Sequence, residues 1–287
     1  MNYVTNAQLC EIVRSNLDKV PHAVDGVIGI PRGGVFIGAI LSEYLNVPLY
    51  TVDGFLSGLD LGAGVAGNGL RPHGTGAYIV ADDSASTGAS FREAREKLSA
   101  VPSCAFVYVA AVCDDRDVPD SVDIVLSHVR EFRLFELNVF RTDHVSRMVF
   151  DIDGVLCEEP SWGLDLDEGR YLEHIRHARP RIPLAYPALA ICTHRLLKYA
   201  EPTIGWLADN GIGWSHLYML DLPSVAEKMA KSASHEVLNM KSDAYMMHPE
   251  AILFVESSWE ESERIARNTG RPVLCTDRNV LVNIGNK

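Results

Sequence analysis

Tyr78-Ile79-Val80-Ala81-Asp82-Asp83-Ser84-Ala85-Ser86-Thr87-Gly88-Ala89-Ser90 decides the fold of this 287-residue chain. Residues 78–81 form an apolar run that predicts a buried strand, two adjacent carboxylates come next, and a Ser/Thr/Gly turn leads into residues 91–98, a charged stretch of good helix formers. Strand, acidic tip, loop and helix in that order make a seat for a phosphate monoester, because the helix dipole and the first-turn N–H groups face the loop. Gly88 permits close approach of the backbone, and Ser86, Thr87 and Ser90 add hydroxyl donors. Asp82 and Asp83 stand about one sugar ring upstream, placed to accept hydrogen bonds from two vicinal hydroxyls.

Working outward, residues 7–20 carry Leu9, Ile12, Val13 and Leu17 at helical spacing, which predicts an amphipathic helix packed on a sheet. A short strand at 27–30 precedes Pro31-Arg32-Gly33-Gly34, and a helix is expected over 35–45. A cation, two glycines and a helix N-terminus suit a polyanion. Strands are expected at 48–52, 105–112 and 122–126, and the glycine-rich stretch 54–76 predicts a long loop whose basic side chains are Arg71 and His73.

Asp82-Asp83-Ser84-Ala85-Ser86-Thr87-Gly88-Ala89-Ser90 resembles the phosphoribosyl pyrophosphate (PRPP) motif of type I phosphoribosyltransferases. The resemblance implies that Asp82, Asp83, Ser84, Ser86, Thr87, Gly88 and Ser90 hold the ribose 5-phosphate, and that Arg32, Gly33 and Gly34 form the pyrophosphate loop. It further implies a mobile loop with Arg71 reaching the pyrophosphate, Mg2+ as cofactor, a small-molecule acceptor, and a homodimer, since such domains are commonly dimeric.

A second module begins near 145, after the polar stretch Arg141-Thr142-Asp143-His144. An apolar run ends in Asp151-Ile152-Asp153-Gly154, where carboxylates two residues apart on extended backbone point the same way and suit joint work on a metal and a phosphate. This stretch resembles the first motif of the haloacid dehalogenase (HAD) superfamily. The resemblance implies Asp151 as nucleophile and Asp153 as acid/base, with Thr193, after an expected strand at 189–192, holding the phosphoryl group. Arg195 lies nearby, with a supporting or a surface role. A lysine is also required. Lys228, Lys231 and Lys241 are available, and Lys241 is favoured because an apolar run at 251–255 comes soon after it. Mg2+ would be held by Asp151, Asp153, Glu256 and Glu260, with Ser257 standing where the superfamily usually has a second acid. Only about 40 residues separate Gly154 from Thr193, so residues 158–187 predict a short flap rather than a large cap.

The fold class expected is α/β: two Rossmann-like three-layer α/β/α domains with mostly parallel sheets, a phosphoribosyltransferase domain at 1–144 and a HAD-like domain at 145–287. A hydrophobic content of 47% with 22% charged residues is that of a globular protein. A net charge of -12 argues against binding nucleic acid or acidic membranes. No apolar stretch predicts a membrane span, and six scattered cysteines without a CxxC pair fit buried free thiols in a reducing cytoplasm. The expected function is phosphoribosyl transfer from PRPP and then removal of the 5-phosphate. The alternatives are a PRPP or nucleotide sensor without turnover, or an independent phosphatase.

Overall fold

Alternating strands and helices sort into two units, Met1–Leu137 and Asn138–Lys287. The computed structural model describes residues 1–62, 76–130, 132–161, 163–164 and 168–283, so the expectations for Arg71 and His73 lie outside the described residues.

The first unit runs β1 (Asn2–Val4), α1 (Asn6–Ser15), β2 (Gly26–Gly29), α2 (Gly33–Leu45), β3 (Leu49–Thr51), α3 (Val52–Ser57), β4 (Ala77–Ala85), α4 (Ala89–Leu98), β5 (Ala105–Cys113), β6 (Ile124–His128) and β7 (Arg133–Phe135). Among the described residues its main sheet has the order β3-β2-β4-β5-β6, all parallel, while β1 and β7 pair separately. Thr5 starts α1 with a capping box: its hydroxyl accepts from the Gln8 N–H at 3.1 Å, and its own N–H donates to Gln8 Oε1 at 2.8 Å.

Period-two alternation along the strands covers both faces of this sheet. Val27, Ile79 and Val109 pack with Leu9 and Val13 of α1, whereas Ile28, Val80 and Tyr108 pack with Tyr50 and with Phe91 of α4. Each such side chain contributes about 1.5–3 kcal/mol on full burial, so the sheet faces dominate the fold. The chain order reverses between β2 and β4, and a ligand crevice is expected at the carboxyl ends of those two strands.

The second unit runs β8 (Met148–Phe150), α5 (Glu168–His177), β9 (Ala188–Leu196), α6 (Ala200–Asp209), β10 (Trp214–Leu220), α7 (Val225–Ala230), α8 (His235–Met246), β11 (Leu253–Glu256), α9 (Trp259–Thr269), β12 (Val273–Cys275) and β13 (Val280–Val282). Its described sheet order is β10-β9-β8-β11-β12-β13, parallel except for β13 against β12. Ala244, Tyr245, Ile265 and Ala266 from α8 and α9 cover Val149, Ala190, Phe254 and Val273. Here the reversal lies between β8 and β11, joined beyond the ladder by the Asp151 N–H donating to the Val255 carbonyl at 3.0 Å.

The chain is thus mixed α/β with mostly parallel sheets. The strand expected at 189–192 runs on to Leu196 and takes in Thr193, and three further elements differ from expectation. The strand expected at 78–81 continues to Ala85, because Asp82 and Ser84 stay in register with Ala110 and Val112. Residues 138–144 fall in the second unit: the Ala185 N–H donates to the Phe140 carbonyl, and the Phe140 and Phe150 rings lie 5.9 Å apart. The segment 158–187 is more than a flap, since α5 buries Tyr171 and Ile175 against Leu196, Tyr199 and Leu220. Among the described residues the six cysteines are free, four of them buried and Cys10 exposed. No described helix is long and apolar enough to cross a membrane.

Candidate functional site

In the first unit the loop after β2 meets the later part of β4 at the chain reversal. A Cβ at Gly33 would collide with the Asp83 carboxylate, and one at Gly34 with the Ala81 carbonyl and Asp82 Cα. Two glycines therefore let the start of α2 lie directly over the acidic pair. Arg32 stands exposed at that helix start, after a cis Pro31–Arg32 peptide bond.

Asp82 is buried and accepts from the Asp83 N–H at 2.9 Å, while Asp83 accepts from the Ser84 hydroxyl at 3.2 Å. Burial, reinforced by the charge of Asp83, pushes Asp82 up to about 8, and burial raises Asp83 as well. A carboxyl raised in the folded state adds stability fully below its unfolded value and loses it as pH climbs through about 8. Asp82→Asn is thus expected to stabilise the metal-free protein by at least about 1 kcal/mol at pH 8.5 and by little at pH 4.5. Thermal melts in chelator at both pH values check this, and an equal difference at the two would refute it.

The loop Ser86-Thr87-Gly88 comes after β4 and opens α4, whose N-cap Gly88 has no side chain to cap it, while Thr87 Oγ1 accepts from the Ala89 N–H at 3.3 Å. Gly88 has φ +69°, and a Cβ there would lie 2.5 Å from Ser121 Oγ and 2.6 Å from Pro119 Cβ. The Ser121 hydroxyl donates to the Gly88 carbonyl at 3.1 Å, and Arg95 Nε donates to the Ser121 carbonyl at 2.9 Å. Ser86, Thr87 and Ser90 are exposed. Ser86 Oγ accepts from Arg133 at 3.0 Å, and the Thr87 carbonyl accepts from Arg92 at 2.8 Å. A cavity of about 430 Å³ opens beside Ser86, Thr87, Arg92 and Arg95. Arg133 comes from the far side of the unit's sequence, and only its basic charge could have marked it.

In the second unit, Asp151 comes directly after β8, Thr193 lies within β9, Lys241 on α8, and Glu256 ends β11. They line one cavity of about 300 Å³ together with Asp153, Glu159, His194 and Ser257. Lys241 Nζ donates to Asp151 at 2.9 Å, Glu256 at 2.7 Å and Glu261 at 2.6 Å. Glu256 also accepts from the Ser257 and Ser258 N–H groups at 2.9 and 3.1 Å. Glu260 is exposed and accepts from the Ser258 hydroxyl, so the carboxylate that α9 turns toward Lys241 is Glu261, one residue later.

Asp153 is committed elsewhere. Arg195, fully buried, donates to both its oxygens at 3.0 and 2.5 Å, and the Cys157 thiol approaches at 3.4 Å. Burial opposes ionisation there, but the Arg195 charge and hydrogen bonds outweigh it and hold Asp153 below the usual carboxylate range. Asp151 goes the other way: burial, aided by Glu256, Asp153 and Glu261, pushes it up to about 7 against Lys241. Its Oδ1 is buried with no hydrogen-bond partner among the described residues. An orphaned carboxylate oxygen beside Glu256, in a site short of positive charge, fits a hard divalent cation.

No family model matches the chain, and no curated protein matches it in sequence. Among solved structures it is similar to a purine phosphoribosyltransferase from Pyrococcus horikoshii Ot3, at 17% identity over 47% of this chain and 93% of that one, TM-score 0.34. It is similar to a xanthine-guanine-hypoxanthine phosphoribosyltransferase of Helicobacter pylori, at 13% identity over 47% and 89%, TM-score 0.35. Two of these likenesses thus span about half the chain. A Pnkp1/Rnl/Hen1 complex is similar over 89% of this chain and 97% of that chain, at 12% identity and TM-score 0.30.

Proposed function

We propose that the chain is a two-step enzyme: the first unit transfers ribose 5-phosphate from PRPP to a small acceptor, and the second hydrolyses the 5-phosphate of the product. The observation that supports this reading is a buried carboxylate at each chain reversal, Asp82 under the glycine loop in the first unit and Asp151 on Lys241 in the second.

In the first step Asp82 and Asp83 accept from the ribose hydroxyls, while Ser86, Thr87, Gly88 and Ser90 hold the 5-phosphate. Arg32 with the N–H groups of Gly33 and Gly34 receives the departing pyrophosphate, so negative charge developing on the leaving group meets fixed donors. In the second step Asp151 attacks phosphorus, Thr193 and Lys241 hold the phosphoryl oxygens, and Asp153, kept ionised by Arg195, takes the proton of the attacking water. Mg2+, held by Asp151 and Glu256 in the second unit and by PRPP beside Asp82 and Asp83 in the first, would neutralise phosphate charge. Ser257, in place of a second acid, favours a reading in which the second unit binds without turnover.

The test is mass spectrometry of the protein incubated with PRPP, Mg2+ and a deproteinised metabolite extract. A new ribosylated mass with pyrophosphate and phosphate release is expected. PRPP left intact would sink the transferase half, and a ribosylated compound that keeps its phosphate would leave the second unit a binding domain. Gly33→Ala is expected to displace the Asp83 carboxylate and lower PRPP turnover by about 10²-fold with little change in melting temperature, measured by pyrophosphate release.

A further inference from the structure

Ser257 stands where a second acid was expected, and the acid before it is heavily engaged. One Glu256 oxygen accepts from Lys241 at 2.7 Å, and the other from the Ser257 and Ser258 N–H groups at 2.9 and 3.1 Å. Asp151 gives Oδ2 to Lys241, which leaves Oδ1 without a partner among the described residues, on a side chain that is buried. A buried carboxylate oxygen is costly to leave unpaired, and a hard cation facing it draws on further oxygen donors.

Glu159 lines the same cavity as Asp151, Glu256 and Ser257. A Cβ placed on Gly154, which has φ +76°, would lie 2.5 Å from Glu159 Oε2 and 2.4 Å from Ser257 Oγ. The Glu159 carboxylate and the Ser257 hydroxyl thus converge on one small space that the glycine leaves open. The backbone that carries Glu159 is fixed just before it. The Glu158 N–H donates to the Arg179 carbonyl at 2.9 Å, the Arg181 N–H donates to the Leu156 carbonyl at 2.9 Å, and Cys157 bridges to Pro180. Glu158 closes this pairing with its own carboxylate, which accepts from the Arg179 N–H at 3.1 Å. Two adjacent glutamates are thereby sorted: Glu158 ties the backbone, and Glu159 borders the cavity.

We infer that Glu159 is a cation ligand of the second unit, supplying from the segment after Gly154 the carboxylate that Ser257 does not provide. The inference rests on the metal-dependent phosphatase reading above. Carboxylate donors of this kind suit Mg2+ and Mn2+ alike, so Mn2+ serves as the probe.

The experiment is a Mn2+ titration of the full chain without PRPP, followed by the electron paramagnetic resonance signal of the free ion. Wild type, Glu159→Gln, Glu158→Gln, Asp151→Ala and the double variant Glu159→Gln with Ser257→Asp are compared, and thermal melts establish that each is folded. Glu159→Gln is expected to weaken binding by at least about tenfold, the lower end of what a group that merely supports a ligand is worth. Glu158→Gln removes the same charge one residue away and is expected to keep wild-type affinity. Ser257→Asp should restore most of the loss, because it returns a carboxylate to the shared space. If the double variant does not fold, Glu159→Asp takes its place and should bind more tightly than Glu159→Gln. Unchanged affinity in Glu159→Gln, an equal loss in Glu158→Gln, or a loss that the restored carboxylate does not reduce would overturn the assignment, while a loss in Asp151→Ala would keep the reading beneath it. If wild type binds no Mn2+, or Asp151→Ala binds it as tightly as wild type, the metal-dependent reading itself falls and the inference with it.

Discussion

Asp151→Asn is expected to lower phosphate release by on the order of 10⁵-fold, the scale of losing the group that bonds to the substrate. The fold should survive. Lys241 keeps Glu256 and Glu261 as partners, and Asn puts a neutral amide where burial already pushes the carboxyl up to about 7. In the presence of PRPP and acceptor the phosphorylated product of the first unit should then accumulate, because its consumer has been removed. Steady-state assays on ribose 5-phosphate and mass spectra of the mixed reaction read the two effects separately. A folded variant retaining more than about 1% of wild-type hydrolysis would remove Asp151 from the nucleophile's role.

Lys241→Met is expected to be the most destabilising substitution in the second unit, at about 3–5 kcal/mol, since it strips the cation from three carboxylates at once. Lys241 itself is held protonated well above its ordinary value: burial resists the charge, but Asp151, Glu256 and Glu261 overcome that resistance. In wild type, Glu261 lies below its ordinary value, so it contributes stability above the unfolded carboxylate range and loses it as pH falls. Without Lys241 the sign reverses. The carboxyls titrate higher in the folded state than in the unfolded one, so the variant's deficit is smallest near pH 4 and widens as pH rises. Urea unfolding at pH 4.5 and 7.5 measures this, and a deficit that did not grow with pH would contradict the shared-cation account.

Much of the architecture is legible in the sequence because apolar runs of four or more residues alternate with helix-forming stretches, and the mostly parallel pairing follows from that alternation. The ends of the strands are not. Asp82, Ser84 and Thr193 look like loop residues by polarity, yet they lie within strands because the neighbouring strand, far off in sequence, continues beside them. Among three lysines, Lys241 stands out by the apolar run soon after it, and it is the one whose Nζ reaches Asp151. Glu260 stands where Glu261 acts for a rotational reason: one position along α9 turns a side chain by about 100°, and only the start of the helix at Trp259 decides which one faces inward. Arg195 is marked in the sequence only by its nearness to Thr193, with a supporting and a surface role both open, because its partner Asp153 is 42 positions away, and Arg133 carries only its charge, because Ser86 is 47 positions away.

The segment between β5 and β6 is rich in aspartate, and in it Pro119 and Ser121 pack against Gly88 and hold the loop that opens α4. The loop proposed above as an anion seat is therefore held by the fold itself. On the proposed reading, binding there would lose little conformational entropy, and donor geometry rather than ordering of this loop would govern affinity on that side of the crevice. Pro119 would then act on the ligand at one remove: a more pliant residue there would loosen the loop and turn part of the interaction energy into the work of ordering it.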